Sequence, residues 1–135
     1  MTLTLNLFLK HFQQQNQKKD FKQKKSLAIR RDEFTGIRAK FPNKIPIVIE
    51  RSKNEKNLPL LDKIKFLVPN DLTIGQLKNI LRHRMNLDDG QTLILMIGSQ
   101  QLIPSLTKTS AELYKQFKDQ DGFLYVTYSS KEILG

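Results

Sequence analysis

The chain has 135 residues, enough for one compact domain whose core needs neither a disulfide nor a metal ion. It contains no cysteine, which excludes disulfides, a thiolate nucleophile and cysteine-bound zinc. The whole net charge of +10 lies in residues 1–66, which carry 16 basic and 6 acidic side chains, so we expect acidic partners to approach that half.

The first twelve residues, MTLTLNLFLKHF, are rich in Leu and Phe, but we do not expect them to form a targeting segment. Lys10 and the polar run QQQNQKKD interrupt them well before the roughly 20 apolar residues that a membrane-spanning helix needs. We therefore expect residues 1–20 to form a flexible arm. The Gln- and Lys-rich stretch 13–25 predicts a solvated helix or linker that Phe21 fixes to the body.

A helix is predicted from Ser26 to Phe41, because its apolar residues recur at helical spacing. These residues are Leu27, Phe34, Ile37 and Phe41. Ser26 can cap the first turn, and Pro42 ends the helix because the residue before a proline avoids helical geometry.

A hairpin follows. In KIPIVIER, residues 44–51, three isoleucines alternate with Pro46, Val48 and Glu50, which predicts a strand with one buried face. Pro46 favours a sheet edge or the beginning of a strand. The polar segment 52–62 reads as a loop, and KIKFLV, residues 63–68, predicts the second strand.

Thr73 and Gln76 have the spacing of a capping box, which predicts a helix with Ile74, Leu77, Ile80 and Leu81 on one face. TLILMIG, residues 92–98, is typical of a buried strand. Leu102 and Ile103 predict a brief strand that Pro104 ends.

A second capping box, Thr109 with Glu112, predicts a short helix, and the turn DQDG leads to a last strand at 123–129. From Lys44 onward this order matches a β-grasp. In that fold the final strand lies centrally and parallel to the first, and the tail SKEILG projects as a free end.

Three strings carry a family resemblance: IRAKFPNKIPIVIE (37–50), DKIKFLVPNDLTIGQL (62–77) and DGFLYVTYS (121–129). In this order and spacing, residues 21–135 resemble the GABARAP and microtubule-associated light chain family of autophagy modifiers. The resemblance implies an α+β, ubiquitin-like β-grasp domain with two additional N-terminal helices. It also implies that the basic N-terminal half faces tubulin or membrane.

The resemblance implies that Gly135 is a conjugation end. Glycine has no side chain, so it can enter narrow enzyme channels and leaves its carboxyl carbon open to attack. The implied steps are adenylation, two thioester transfers on partner cysteines, and amide formation with phosphatidylethanolamine. The implied partners are activating and conjugating enzymes and a delipidating cysteine protease. Because nothing follows Gly135 in the sequence, we expect no proteolytic maturation.

The strand at 63–68 is expected to be an edge that accepts a peptide strand. The implied partners are cargo receptors with an aromatic-x-x-aliphatic motif and acidic flanks. The implied aromatic pocket is formed by Glu33, Ile37, Pro46, Lys65, Leu67 and Phe123. The implied aliphatic pocket is formed by Phe66, Val68, Pro69, Leu72, Leu77 and Ile80. Lys63, Lys65 and Arg84 would meet the acids. Without the resemblance, Ile37, Leu72 and Ile80 read as ordinary core.

The chain departs from the family pattern at four places. Ser26-Leu27 replaces Pro-Phe, Leu77 replaces an aromatic residue, Leu134 replaces Phe or Tyr, and residues 1–20 have no counterpart. The change at Leu77 affects one peptide pocket, and the change at Leu134 bears on recognition by processing or conjugating enzymes.

The sequence shows no catalytic machinery. His11 and His83 lie in no metal-binding or nucleophile spacing, and no glycine-rich phosphate loop is present. We therefore expect no cofactor, no metal and no enzymatic activity, with the chain in the cytoplasm and, once lipidated, on autophagosomes. Two alternatives are a basic module for tubulin or nucleic acid, the latter disfavoured by few aromatics among the lysines, and a β-grasp docking domain that is never conjugated.

Overall fold

One four-stranded sheet organises the residues that our computed structural model describes, 19–131. The helices are α1 (Phe21–Lys24), α2 (Leu27–Lys40), α3 (Ile74–Arg84) and α4 (Ser110–Phe117). The strands are β1 (Lys44–Arg51), β2 (Lys65–Pro69), β3 (Ile94–Ile97) and β4 (Leu124–Ser129). Most of the predicted arm and the predicted conjugation end, including Leu134 and Gly135, lie outside the described residues.

The sheet has the order β2-β1-β4-β3. Strand β1 pairs antiparallel with β2 and parallel with β4, and β3 pairs antiparallel with β4. The predicted topology, with the final strand central and parallel to the first, is therefore confirmed. The fold is an α+β, ubiquitin-like β-grasp preceded by two additional helices.

The strand predictions need four corrections. Strand β3 is shorter than the predicted 92–98 and covers only Ile94–Ile97. Strand β1 is buried on both faces, because Val48 contacts a second core under α1 and α2 that the alternating pattern did not predict. Strand β2 begins at Lys65, two residues later than predicted. Before Lys65 only one backbone hydrogen bond joins this segment to β1, from the Ile49 N–H to the Ile64 carbonyl. The brief strand at 102–103 is a single bridge between Ile97 and Leu102.

Pro46 lies inside β1, which is an interior strand and not an edge. Pairing with β4 begins only at Ile47, opposite Leu124. The missing N–H of Pro46 therefore breaks no ladder bond to β4. This placement fits the second part of the prediction, that Pro46 lies near the beginning of a strand.

The helix caps follow the sequence closely. The Ser26 hydroxyl accepts the Ile29 N–H at 3.3 Å, and α2 ends before Pro42. Phe41 is 46% exposed despite its place in the apolar pattern, because it lies beyond the last turn as the C-cap. The predicted linker around Phe21 contains the four-residue helix α1, and Phe21 is buried.

The two predicted capping boxes differ. At α3 the box is complete: the Thr73 hydroxyl accepts the Gln76 N–H, and the Gln76 side chain accepts the Thr73 N–H. At α4 it is half formed, because the Glu112 carboxylate accepts from the Thr109 hydroxyl and not from its backbone. Of the predicted stripe on α3, Ile80 is the exposed member, at 43%.

A buried ion pair holds α2 to the turn before β4. Arg30 donates to the Asp121 carboxylate at 2.7 Å, and the Tyr125 hydroxyl donates to the same oxygen at 2.5 Å. The Asp121 side chain is fully buried. Such a pair is expensive to break from one side, because the remaining charge stays buried without a partner.

We expect Gly122→Ala to destabilise the protein by about 2–5 kcal/mol, from backbone strain and overpacking together. Gly122 has φ +100°, and a Cβ there would lie 2.4 Å from the Phe34 ring. The matched control is Gly36→Ala, in the middle of α2, where a Cβ meets nothing within 4 Å. This control should stabilise the protein by up to about 1 kcal/mol, since alanine favours helices. Urea denaturation followed by circular dichroism measures both, and equal effects would contradict the account.

Candidate functional site

The outer edge of β2 presents unpaired backbone groups among the residues 19–131. In the register with β1, Phe66 and Val68 lie opposite Ile47 and Ile45, and Leu67 lies opposite Pro46. Pro46 has no N–H, and the bond from Ile49 to Ile64 fixes which pairs are hydrogen-bonded. The N–H and C=O groups of Lys65 and Leu67 therefore point away from β1, where a further strand can pair with them.

Most of the residues predicted for an aromatic pocket lie together on the α2 side of this edge. Leu67 is paired with Pro46, and Lys65 contacts Glu33 at 2.5 Å. Ile37 packs on the cluster that contains Phe123. Phe123 itself is only 1% exposed and makes edge contacts with the Phe21 and Phe34 rings. It therefore lies beneath the predicted pocket and does not form one of its exposed sides.

Glu33 bridges two lysines at this position. It accepts from Lys65 and also from Lys25, on the other side. Burial acts to raise the pKa of Glu33, but the hydrogen bonds from Lys25 and Lys65 hold it below the ordinary value of 4.5. The carboxylate is therefore ionised at neutral pH and offsets part of the positive charge around the edge.

Most of the residues predicted for an aliphatic pocket lie on the α3 side, and they differ in exposure. Phe66, Val68 and Leu77 belong to the main core, and Leu72 packs partly against it. The exposed members are Ile80, on α3, and Pro69, at the end of β2. The alternation of burial along β2 places Pro69 on the same face as Leu67.

The three cations predicted to meet acidic residues are already engaged in different ways. Arg84 makes a bidentate contact with Asp62, at 2.8 and 2.9 Å, and Lys65 is bound by Glu33. The Lys63 ammonium lies 4.8 Å from the centre of the Phe66 ring. Within the described range it has no carboxylate partner, so it is the cation most available to a ligand.

A cavity of about 700 Å³ lies beside the first residue of β2 and shares only Lys65 with the predicted pockets. Its apolar part includes Leu60, Leu61 and Ile64. Its basic residues are Lys19, Lys24, Lys25, Arg51, Lys53 and Lys65. Sequence reasoning missed this cavity because the run from Lys18 to Lys25 reads as solvated. The one signal for it was Phe21, which is buried and brings α1 against the sheet.

Residues 19–131 contain neither a metal-binding cluster nor a membrane-spanning helix. They contain no group of three His, Asp or Glu side chains that could hold a metal ion. None of their helices has the length and apolar character needed to cross a membrane.

Comparison with known proteins gives a family match over most of the chain. Residues 29–135 match the family model described as autophagy protein Atg8, ubiquitin-like. The match includes all the residues predicted for the peptide pockets and extends to the terminal Gly135.

Individual relatives agree with this match. The chain is 53% identical to human microtubule-associated protein 1 light chain 3 gamma over 115 residues, which are 85% of this chain and 78% of that protein. It is 36% identical to the Caenorhabditis elegans protein lgg-2 over 85% of this chain and 88% of the relative. It is also 36% identical to Arabidopsis thaliana autophagy-related protein 8b, over 88% of this chain and 95% of the relative.

We expect Glu50→Gln to stabilise the protein at pH 7. Glu50 lines the cavity and accepts the Phe21 N–H at 2.9 Å, and burial raises its pKa above 4.5. The folded state therefore disfavours the ionised form, and this cost is present at neutral pH and vanishes as the pH falls below 4.5. A glutamine keeps an oxygen for Phe21 without the charge.

The measurement is urea denaturation at pH 7 and pH 4, with Asp89→Asn, at an exposed turn residue, as control for the change in net charge. The gain of Glu50→Gln over this control should shrink at the lower pH. A gain that grows on acidification would contradict the assignment.

Proposed function

Because the chain belongs to the Atg8 family of ubiquitin-like autophagy proteins, we propose that Gly135 is conjugated to phosphatidylethanolamine and that the edge of β2 binds peptides. The protein is an autophagy modifier of the ubiquitin-like type. Its peptide ligands would be aromatic-x-x-aliphatic motifs of cargo receptors and adaptors. The observation that carries the peptide-binding part is the outward-facing backbone of Lys65 and Leu67.

The spacing of the motif fits the two sides of this edge. Successive side chains of a strand point to opposite faces, so residues three apart point to opposite sides. The aromatic side chain would lie on the α2 side, against Pro46 and Leu67 and above Phe123. The aliphatic side chain would lie on the α3 side, against Ile80. Backbone hydrogen bonds would supply affinity, and the two pockets would supply specificity.

Acidic residues of the ligand would be bound by three cations, of which two already have carboxylate partners. Lys65 would exchange Glu33 for the ligand, and Arg84 would exchange Asp62, whereas Lys63 is available without exchange. The lysines around the 700 Å³ cavity extend the positive surface beyond the start of β2. Because exposed charges are screened by salt, affinity for acidic peptides should fall as ionic strength rises.

Conjugation would depend on partners for its sulfur chemistry, since the chain has no cysteine. Activating and conjugating enzymes would carry Gly135 as a thioester, and a cysteine protease would remove the lipid later. The lipidated protein would sit on autophagosome membranes. In this scheme the chain would be a substrate of these enzymes.

The conjugation proposal predicts that Gly135→Ala strongly reduces attachment to liposomes that contain phosphatidylethanolamine. A terminal side chain would obstruct the enzyme channels through which the glycine passes. The assay is flotation with reconstituted activating and conjugating enzymes, and Gly36→Ala, on the exposed part of α2, is the control. Full attachment of Gly135→Ala would reject conjugation at this residue and favour a docking domain that is never conjugated.

The binding proposal predicts that Leu67→Ala or Lys65→Glu weakens an aromatic-x-x-aliphatic peptide by about 1–2 kcal/mol, the range of interface truncations. The control is Leu106→Ala, since Leu106 is 54% exposed and lies away from β2. Titration calorimetry measures all three. If affinity were unchanged for both β2 variants, or fell equally in the control, the pocket assignment would be wrong.

A further inference from the structure

A buried carboxylate lies where the chain leaves the sheet. Glu55, in the loop between β1 and β2, is 7% exposed. One of its oxygens accepts the N–H groups of Asn57 and Leu58, each at 2.9 Å. The other accepts the Ser130 N–H at 2.7 Å, and the Ser130 hydroxyl lies within donating distance of both oxygens, at 2.9 and 3.0 Å. Glu55 thus joins its own loop to a residue 75 positions later.

The charge of Glu55 is balanced by hydrogen bonds alone, because no Lys, Arg or His of residues 19–131 forms a salt bridge with it. Burial acts to raise its pKa, but the donors of Ser130, Leu58 and Asn57 hold it below 4.5. The carboxylate is therefore ionised at neutral pH. Hydrogen bonds to a charged group are about twice as strong as neutral ones, so this attachment is firm.

The attachment begins where sheet pairing ends. Ser129 is the last residue of β4, and it is paired with Ile94. Ser130 follows and is held by Glu55, and the Ser129 hydroxyl donates to the Lys131 carbonyl at 2.6 Å. A strand that merely ended here could leave the Ser130 N–H to water. The structure instead places a buried charge on it, which fixes the point from which the tail departs.

We propose that Glu55 is a positioning residue for conjugation, which holds Ser130 so that Gly135 is presented from a fixed exit point. The inference rests on the proposed conjugation at Gly135. From Lys131 the last four residues span at most about 14 Å, at about 3.5 Å per residue. Release of Ser130 and Lys131 would lengthen this reach by about 7 Å and widen the volume that the glycine searches. The attachment therefore raises the frequency of productive encounters with the enzyme thiol.

Glu55→Gln tests this with little change in size. A glutamine replaces one acceptor oxygen by an NH₂ group, so either the loop N–H groups or the Ser130 donors lose their acceptor. Ser130→Ala removes only the hydroxyl on the tail side and leaves the loop intact. Glu112→Gln is the matched control, since it makes the same charge change at an exposed glutamate.

Three quantities should be measured on the full chain: kcat/KM for conjugation to liposomes, amide exchange at Ser130 and Lys131, and the Kd of an aromatic-x-x-aliphatic peptide. We expect Glu55→Gln to lower kcat/KM about 3–10-fold and Ser130→Ala to lower it less. A loss of this size corresponds to a fraction of the entropy cost of ordering two residues. Exchange at Ser130 should accelerate in both, and the Kd should not change. The double variant should be no slower than Glu55→Gln, because both changes remove one interaction.

The outcomes separate this inference from the proposal beneath it. A wild-type chain that is not conjugated would overturn the proposed function and this inference together. A conjugated wild type with faster Ser130 exchange but unchanged kcat/KM in both variants would overturn the inference alone. A lower melting temperature in Glu55→Gln with unchanged kcat/KM below it would assign Glu55 a structural role only.

Discussion

The parallel pairing of β1 with β4 is the constraint on which the rest of the arrangement depends. Because β1 is paired with β4 on one side, β2 can pair only on its other side and becomes an edge strand. The same pairing brings the end of β4 beside the loop that follows β1, and the Ser52 N–H donates there to the Tyr128 carbonyl. One pairing thus places both the edge for a peptide and the exit of the tail.

The two N-terminal helices cover the second face of the sheet. Phe21 and Phe34 pack on Phe123, and the Arg30–Asp121 pair fixes α2 to the turn before β4. This second layer buries Val48 and gives the edge of β2 a wall on the α2 side. A β-grasp without these helices would offer an open face there, with no pocket for an aromatic side chain.

Local features of this protein were predictable from sequence because they depend on neighbouring residues. Ser26, Thr73 and Pro42 mark helix ends by interactions within a few positions, and the predicted bounds are close to those observed. The two-sided burial of β1 was not predictable from its alternating pattern, since what covers Val48 comes from α1 and α2. Similarly, Glu55 reads as an ordinary loop residue until the fold brings Ser130 to it.

The predicted peptide site at the edge of β2 was likewise only partly predictable from the sequence. The resemblance supplied its residues, and the register with Pro46 shows why Lys65 and Leu67 carry the outward backbone groups. The internal partners Glu33 and Asp62, and the basic cavity beside β2, follow only from tertiary packing. A ligand with acidic flanks would therefore meet a surface that is partly neutralised, which the count of basic residues does not reveal.

Amide hydrogen exchange of β2, with and without a saturating aromatic-x-x-aliphatic peptide, tests the central claim most directly. We expect the Lys65 and Leu67 amides, which point outward, to become slower to exchange. The Phe66 and Val68 amides, already bonded to β1, should change little. If the peptide bound while Lys65 and Leu67 exchanged as fast as before, the ligand would not pair with this edge and the account would be contradicted.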